Sequence, residues 1–556
     1  MRAQPQFAVK LLPSLTDFAF LMPIVFLFSR LEGVKTLLSD CDTGWHIRTG
    51  EWILAHHAVP ARDIFSFSRA GDPWYAWEWL SDVLFAWLNS RGGLAAVVLF
   101  ATLLIALTFT LLFRLARRKS NAIVALVVAM IAAAASSIHW LARPHLFTLL
   151  FVVLFYGALE HVRDGRTRLA GVPYLALLPA ATILWTNLHG GFFVGILMIT
   201  AYGGGELLKM AFTADGAQRW PAARRAGRYF LCASACLAAS LINPYFYRLH
   251  VHVWRYLTDP YQVLHILEFF TLSFHHPAAI FFESMLIVGA ATAFWNVSRG
   301  RFTEPLLLLV WGHAALLAAR NIPIFMILAA PPVAAAIQEW LARLPDLDVA
   351  EWLRSAVRKF NRGAANMSHT DDILRWHPVS AAGVLVVAAL LYAPSPPQRF
   401  RAEFDPKSHP DAALATLRRD PSARIFTYDQ WGDYLIYRLY PRTKVFVDGR
   451  SDFYGDDFED QCANVLNVKY DWEKTLSHFG VDTILLPPSA PLAGALKESI
   501  RWRVVYDVGV ALVFQPASQT AGESISAATG GGIGRDRKIT KTEARDRAIT
   551  RTKPIT

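Results

Sequence analysis

Leu37-Leu38-Ser39-Asp40-Cys41-Asp42-Thr43-Gly44-Trp45-His46 follows directly on an apolar run that begins near residue 15. Two carboxylates and an imidazole thus stand where the first candidate membrane helix ends. Ionisable groups at a membrane boundary are costly to desolvate and are functional candidates by default. The Asp-Cys-Asp pattern alone is weak, because an aspartate there can also cap a helix starting near Gly44. Its weight comes from the rest of the chain.

Of 556 residues, 54% are hydrophobic and 18% charged, with 18 Trp and 36 Phe. Soluble domains carry roughly 25% charged residues. Apolar runs near 20 residues recur through the first 400 positions, the length that crosses about 30 Å of hydrocarbon. The pattern predicts eleven spans, near 15–37, 94–113, 121–138, 145–160, 172–188, 190–208, 227–243, 278–297, 304–319, 321–340 and 377–394. The first reads as an uncleaved anchor, since no small-residue cleavage site follows it. The net charge of +11 fits loops facing anionic lipid, and no basic stripe interleaved with aromatics points to nucleic acid.

Lys and Arg concentrate in alternate loops, at Arg114–Lys119, Arg163–Arg168, Lys209–Arg228, Arg299–Arg301 and Arg343–Arg362. The intervening loops hold few: Arg143, Arg248, Arg255 and Arg320. The positive-inside bias then places the N-terminus in the cytoplasm, and puts Asp40, Asp42 and everything after 394 on the outer side. The expected fold is an α-helical polytopic membrane protein of about eleven transmembrane helices with a small C-terminal extracytoplasmic α/β domain. Residues 1–394 form the membrane domain. Residues 395–516 alternate short apolar runs with helical patterns and form the α/β domain, with strands at 424–428, 444–448, 482–486, 504–506 and 510–514. Residues 517–556 lack apolar periodicity and read as a disordered tail.

The outer side has three sizeable parts. The loop at 39–93 carries a first amphipathic stretch at 44–57, suited to lying in the membrane interface, and a second at 75–89. The others are an aromatic, His-rich loop at 244–277 and the C-terminal region. Most of the loop tryptophans, Trp45, Trp52, Trp74, Trp77, Trp79 and Trp87, suit an interfacial belt. Glu78 and Asp82 lie four apart, and either face the aspartate pair or form a solvated face. Other outer helix ends carry His139, Arg143, His145, Asn187, His189, His275, His276 and Arg320. Singly each could snorkel to the headgroups; together they would ring one outward-facing cavity. Arg143 and Arg320 stand out as lone cations suited to a phosphate clamp. Cys41 and Cys462 share the outer side, so a disulfide between them is sterically open, with separate thiols preferred; no CxxC metal pattern occurs.

Asp42-Thr43-Gly44-Trp45-His46-Ile47-Arg48-Thr49-Gly50, Pro60-Ala61-Arg62-Asp63-Ile64-Phe65-Ser66 and Glu78-Trp79-Leu80 resemble a bacterial branch of the GT-C superfamily of integral-membrane glycosyltransferases. So do Trp431-Gly432-Asp433-Tyr434-Leu435 and Val447-Asp448-Gly449-Arg450. The layout is similar to that of the protein O-mannosyltransferase and lipid A aminoarabinose transferase groups. This chain departs from the mannosyltransferases in having Asp-Cys-Asp where they carry adjacent Asp-Glu. The resemblance implies a multi-pass protein of a bacterial plasma membrane with its site on the outer face. It would use a polyprenyl-phosphate-linked sugar and an extracytoplasmic acceptor, whether glycan, lipid or protein. Asp42 or Asp40 would be the general base, with Glu78 as a third carboxylate. Arg143, Arg320, His145 and His189 would hold the donor phosphate, and His46, Asn187 and Trp45 would contact substrate. The same resemblance leaves open a divalent cation, Mn or Mg, on Asp40, Asp42 and His46. Two other classes compete: a transporter of a lipid-linked sugar or ion, and a non-catalytic scaffold that binds envelope glycan. Transport is disfavoured because the polar groups cluster at outer helix ends rather than at mid-span in repeated halves.

Overall fold

The computed structural model describes residues 11–517 except 214, 372, 373 and 375. The tail expected to be disordered lies outside the described residues, apart from Ala517.

Helices occupy every window in which a span was expected. Among the described residues, six are long and apolar enough to cross a membrane: Trp79–Ala116, Ala122–His139, His145–Arg163, Gly190–Phe212, Ala279–Val297 and Ala319–Asp346. Leu15–Ser29, Tyr174–Leu188, Thr303–Leu317 and Pro378–Leu391 are apolar but shorter. A 15-residue helix reaches only about 22 Å, less than a bilayer core. The window at 227–243 overlaps helix Gly216–Ala239, whose first half carries three arginines, Arg219, Arg224 and Arg225, with Arg228 just beyond. The first span is also shorter than expected. It stops at Ser29, and Gly33 turns the chain with φ +63° before a single helical turn, Val34–Leu37. The 38-residue helix Trp79–Ala116 is broken at Gly92 and Gly93, so its first part belongs to the loop and its second to the membrane body.

The connecting loops sort onto two faces. On one, Arg117 pairs with Asp371 (2.5 Å), Arg163 with Glu304 (2.7 Å) and Arg301 with Glu339 (2.6 Å). Arg118 and Lys119 pair there with Asp164 and Glu160. These are the basic loops. Asp17, in the capping box that starts helix Leu15–Ser29, also accepts the Ser380 N–H at 3.1 Å. The first helix and helix Pro378–Leu391 therefore start on the same basic face, and the chain beyond 391 emerges on the opposite one, where the Tyr392 hydroxyl donates to the Gly92 carbonyl at 3.2 Å. Arg399 then reaches back to the Phe28 carbonyl at 3.0 Å.

On the opposite face, helix Asp42–His56 is packed by protein rather than lying in an interface. Trp45, His46, Ile47 and Thr49 are buried. A side chain on Gly50 would meet the Asp82 carbonyl at 1.9 Å, so the two loop helices touch backbone to backbone. Trp45 and Trp74 are likewise buried rather than part of an aromatic belt; Trp87 is exposed.

The C-terminal region forms a four-stranded sheet in the order Ile425–Phe426, Thr483–Leu486, Ala511–Pro516, Trp502–Val508. The first pairing is parallel and the other two antiparallel. The strand expected at 444–448 forms only single bridges, Val445 to Ile425 and Val445 to Ser66. It is wedged between the sheet edge and the 39–93 loop: the Val445 N–H donates to the Phe65 carbonyl (3.1 Å), and the Phe67 N–H to the Val445 carbonyl (3.0 Å). The chain then turns to carry Gly449 to Asp42. Arg450 locks this docking. Its guanidinium is 2.7 Å from Asp63 and 2.6 Å from Asp448, and it lies over the Trp74 ring at 4.4 Å.

Candidate active site at the helix ends beside Asp42

A cavity of about 870 Å³ lies between the helix bundle, the 39–93 loop, the 245–270 segment and the C-terminal sheet region. Asp40, Asp42, Trp45 and Glu78 line it from the first loop; His139, Arg143, His145, His189 and Arg320 from the helix ends. Tyr428, Asp429, Gly449 and Glu459 close it from the C-terminal side.

Asp42 is the first residue of its helix and Asp40 lies two residues before it, where the Asp42 N–H donates to Asp40 at 2.9 Å. Asp40 therefore caps the helix, while Asp42 turns toward the cavity. One guanidinium bridges both: Arg143 is 2.6 Å from Asp40 and 2.7 Å from Asp42 Oδ2. Arg143 is thus not a lone cation, because the aspartate pair already holds both of its terminal nitrogens. The other oxygen, Asp42 Oδ1, faces the C-terminal region. A methyl group on Gly449 would stand 2.6 Å from both Asp42 Oδ1 and Asp433 Oδ2, so these carboxylates are no more than twice that distance apart. The Gly449 N–H donates to the other Asp433 oxygen at 2.9 Å. Burial pushes the Asp42 carboxyl well above the ordinary carboxylate range, and burial together with the facing Asp42 does the same to Asp433.

Arg320 forms no ion pair with a carboxylate among the described residues. It donates to the Tyr256 hydroxyl at 3.0 Å and lies over the Phe269 ring at 4.6 Å. Glu268, from the same aromatic segment, is 3.5 Å from His139 and 4.0 Å from Arg143. Burial would raise its pKa, but Arg320 and Arg143 outweigh that and hold it down to about 2. This wall is therefore cationic around one fixed carboxylate. Burial lowers His189 to about 3, leaving it a neutral ring.

The expected residues are only partly brought together. Asp40, Asp42, Trp45, Glu78, Arg143, His145, His189 and Arg320 all line one cavity. Asn187 does not: its amide accepts from the Trp79 indole (2.8 Å) and donates to the Ile242 carbonyl (2.9 Å), tying helices together. His46 is turned away from the aspartate pair, with Nδ1 2.6 Å from Asp82 and Nε2 3.5 Å from Glu78. Asp82 is buried behind His46 rather than facing Asp40 and Asp42. Cys41 lies 2.9 Å from His409, and Cys462 is a separate buried thiol, so no disulfide links them. Sequence reasoning passed over Glu268 and Tyr256, which sit in a segment with no span-like pattern. Asp433 and Gly449 were noticed only as part of a resemblance.

The metal trio of Asp40, Asp42 and His46 does not assemble. Among the described residues no three His, Cys, Asp or Glu side chains converge as a ligand set. The space between the two aspartates is filled by the Arg143 guanidinium, a cation already in place. The residues present do not fit a bound divalent ion.

No protein-family model matches the sequence, and no curated protein sequence matches it. Its architecture is that of a known class: the GT-C fold of multi-pass membrane proteins. The oligosaccharyltransferase of Archaeoglobus fulgidus, in its apo form, matches with a TM-score of 0.52 at 12% identity, over 85% of this chain and 69% of that one. Archaeal AglB from the same organism, in complex with an inhibitory peptide and a dolichol-phosphate, matches with a TM-score of 0.53 at 13% identity, over 91% and 74%. A third structure, of the same oligosaccharyltransferase with Zn and sulfate, matches with a TM-score of 0.50 at 13% identity, over 85% and 68%.

Proposed function

We propose that this protein is a glycosyltransferase that moves a sugar from a lipid-phosphate donor to a hydroxyl on an extracytoplasmic acceptor. One observation carries the reading: a carboxylate, Asp42, and a guanidinium that forms no ion pair among the described residues, Arg320, line the same cavity at the outer helix ends. Two further facts support it, the GT-C fold and a neighbour whose complex contains a dolichol-phosphate.

In this reading Asp42 Oδ1 takes the proton of the acceptor hydroxyl as its oxygen attacks the anomeric carbon. Arg143 fixes the orientation of that carboxylate through Oδ2. The bond from the anomeric carbon to the phosphate oxygen breaks, and the departing phosphate is stabilised by Arg320 and the neighbouring imidazoles. The basic-loop asymmetry supports a cavity that opens away from the cytoplasm, in a bacterial plasma membrane. Membrane lipid surrounds the remaining helix faces. The donor sugar is left open by this geometry.

The direct test is turnover of polyprenyl-phosphate sugars by purified protein in detergent or nanodiscs. Arg320→Ala is expected to weaken binding of the donor roughly 10- to 100-fold, the worth of a charged hydrogen bond. Its melting temperature should change less than donor affinity, because Glu268, the carboxylate that Arg320 helps to hold ionised, keeps Arg143 at 4.0 Å and His139 at 3.5 Å. A large drop in melting temperature at unchanged donor affinity would make Arg320 a helix tie. Gly449→Ala is expected to slow transfer on the order of 10²-fold by displacing Asp42, since misplacement by about 1 Å has that effect. Parental kcat in Gly449→Ala would remove the close approach from the mechanism.

A further inference from the structure

A second cavity, of about 450 Å³, lies among the basic loops on the face opposite Asp42. Its rim is charged and its inner end is not. Arg118, Lys119 and Arg163 stand at the rim with Glu160, Glu304, Arg301 and Glu339. Leu115, Pro331, Pro332, Ala335 and Ala336 line the rest, with Tyr156 at the inner end. Tyr156 lies two helical turns inward of Arg163, so the cavity reaches about 10 Å below the rim. Pro331 and Pro332 remove two rungs from helix Ile322–Arg343 at that depth.

Most of the rim charges are paired. Arg163 is 2.7 Å from Glu304 Oε1 and 3.2 Å from Glu160, and Arg301 is 2.6 Å from Glu339. Arg118 and Lys119 hold Asp164 and Glu160. Two buried atoms of opposite character are left over. Glu304 is 8% exposed, and its Oε2 accepts no hydrogen bond among the described residues. The Arg118 Nη1 donates none. Buried polar atoms of a native protein nearly always have partners. The partner missing here must donate to a carboxylate and accept from a guanidinium. The lining holds four cations and three carboxylates, and Asp164 on Arg118 makes a fourth. A ligand without net charge leaves that balance intact; a lone buried ion would not.

We propose that this cavity binds a membrane lipid whose headgroup joins a primary ammonium to a phosphate, as in phosphatidylethanolamine. The ammonium donates to Glu304 Oε2, and the phosphate accepts from Arg118 Nη1. Both are charge-assisted hydrogen bonds. The glycerol and first methylenes lie inward, against Leu115, Pro331 and Ala335. A charged rim above an apolar inner end matches the polarity of a lipid, whereas a soluble aminophosphate would leave the inner end facing water. Under the positive-inside bias this face is cytoplasmic, so the lipid belongs to that leaflet. The site is separate from the Asp42 cavity and stands whatever the protein transfers.

The test is native mass spectrometry of the purified full-length protein, titrated with dioleoyl phosphatidylethanolamine and dioleoyl phosphatidylcholine. The first is expected to bind about 10-fold tighter or more, because the quaternary nitrogen of the second has no N–H to give to Glu304. Glu304→Gln should bring the two lipids close to parity. Arg118→Gln, a substitution at the rim, should weaken both alike, since both carry the phosphate. Equal affinities in the parental protein would overturn the proposal, and that result does not depend on any variant folding. A preference that survives Glu304→Gln, or unchanged affinities in Arg118→Gln, would overturn it as well. Displacement of the bound lipid by millimolar O-phosphoethanolamine would assign the cavity to a soluble aminophosphate and overturn the lipid as its ligand.

Discussion

Asp42→Asn is expected to lower sugar transfer by about 10²–10⁴-fold, the usual cost of losing a general base. The substitution keeps the side chain's shape and removes its charge together with its ability to take up a proton. Arg143 would still be anchored by Asp40 at 2.6 Å, so the helix end and the cavity wall should survive. Melting temperature and donor affinity should stay near parental. Asp40→Asn should cost less, because Asp40 serves mainly as a helix cap and as the second anchor of Arg143. The measurement is kcat with a lipid-phosphate sugar, alongside thermal unfolding. If Asp42→Asn turns over at the parental rate, the aspartate pair is a structural clamp for Arg143, and the base has to be sought at Glu78 or Asp433.

The second large effect concerns stability. Arg450 is 2% exposed and is the counter-charge for Asp63 and Asp448, both also buried. Arg450→Met is expected to cost about 3–5 kcal/mol, because removing one partner strands buried charge. Some relief remains: Asp63 accepts the Ser66 N–H at 2.9 Å, and Asp448 accepts the Tyr454 hydroxyl at 2.8 Å. Denaturant unfolding, with limited proteolysis between residues 395 and 516, would report the loss. Adding Asp63→Asn and Asp448→Asn should restore part of it, since no charge is then left unpaired. Parental unfolding in the single variant would show that water reaches these carboxylates and that the buried bridge is unimportant.

Much of this arrangement was legible from the chain, for reasons of range. Apolar runs and Lys/Arg placement are local and cumulative, so the helices and the sorting of loops onto two faces could be read from them. The amphipathic stretch at 75–89 and the span at 94–113 left a gap between them, and Gly92 and Gly93 break the long helix in that gap. The candidate cavity was partly legible, since Asp40, Asp42, Arg143, His145, His189 and Arg320 are conspicuous at helix ends. What could not be read is which groups satisfy one another. Arg143 looked like a free cation because Asp40 lies 103 residues away in the chain. His46 looked like a partner for the nearby aspartates, but the close packing at Gly50 commits it to Asp82. Asn187 looked like a cavity residue until its amide was seen spent on Trp79 and Ile242. The segment 444–448 reads as an ordinary strand, and nothing local shows that it must share its hydrogen bonds with residues 65–67.

The glycine at 449 also bears on the order of events during biosynthesis. Residues 428–459 supply one whole side of the cavity, and they leave the ribosome after all the membrane helices have been made. A nascent chain with Asp42 and Arg320 already in the bilayer has a half-open trough, with Asp42 Oδ1 still lacking its neighbours Gly449 and Asp433. Docking of the C-terminal region therefore comes last: a chain that stalls before residue 428 lacks the wall of the cavity that faces Asp42 Oδ1.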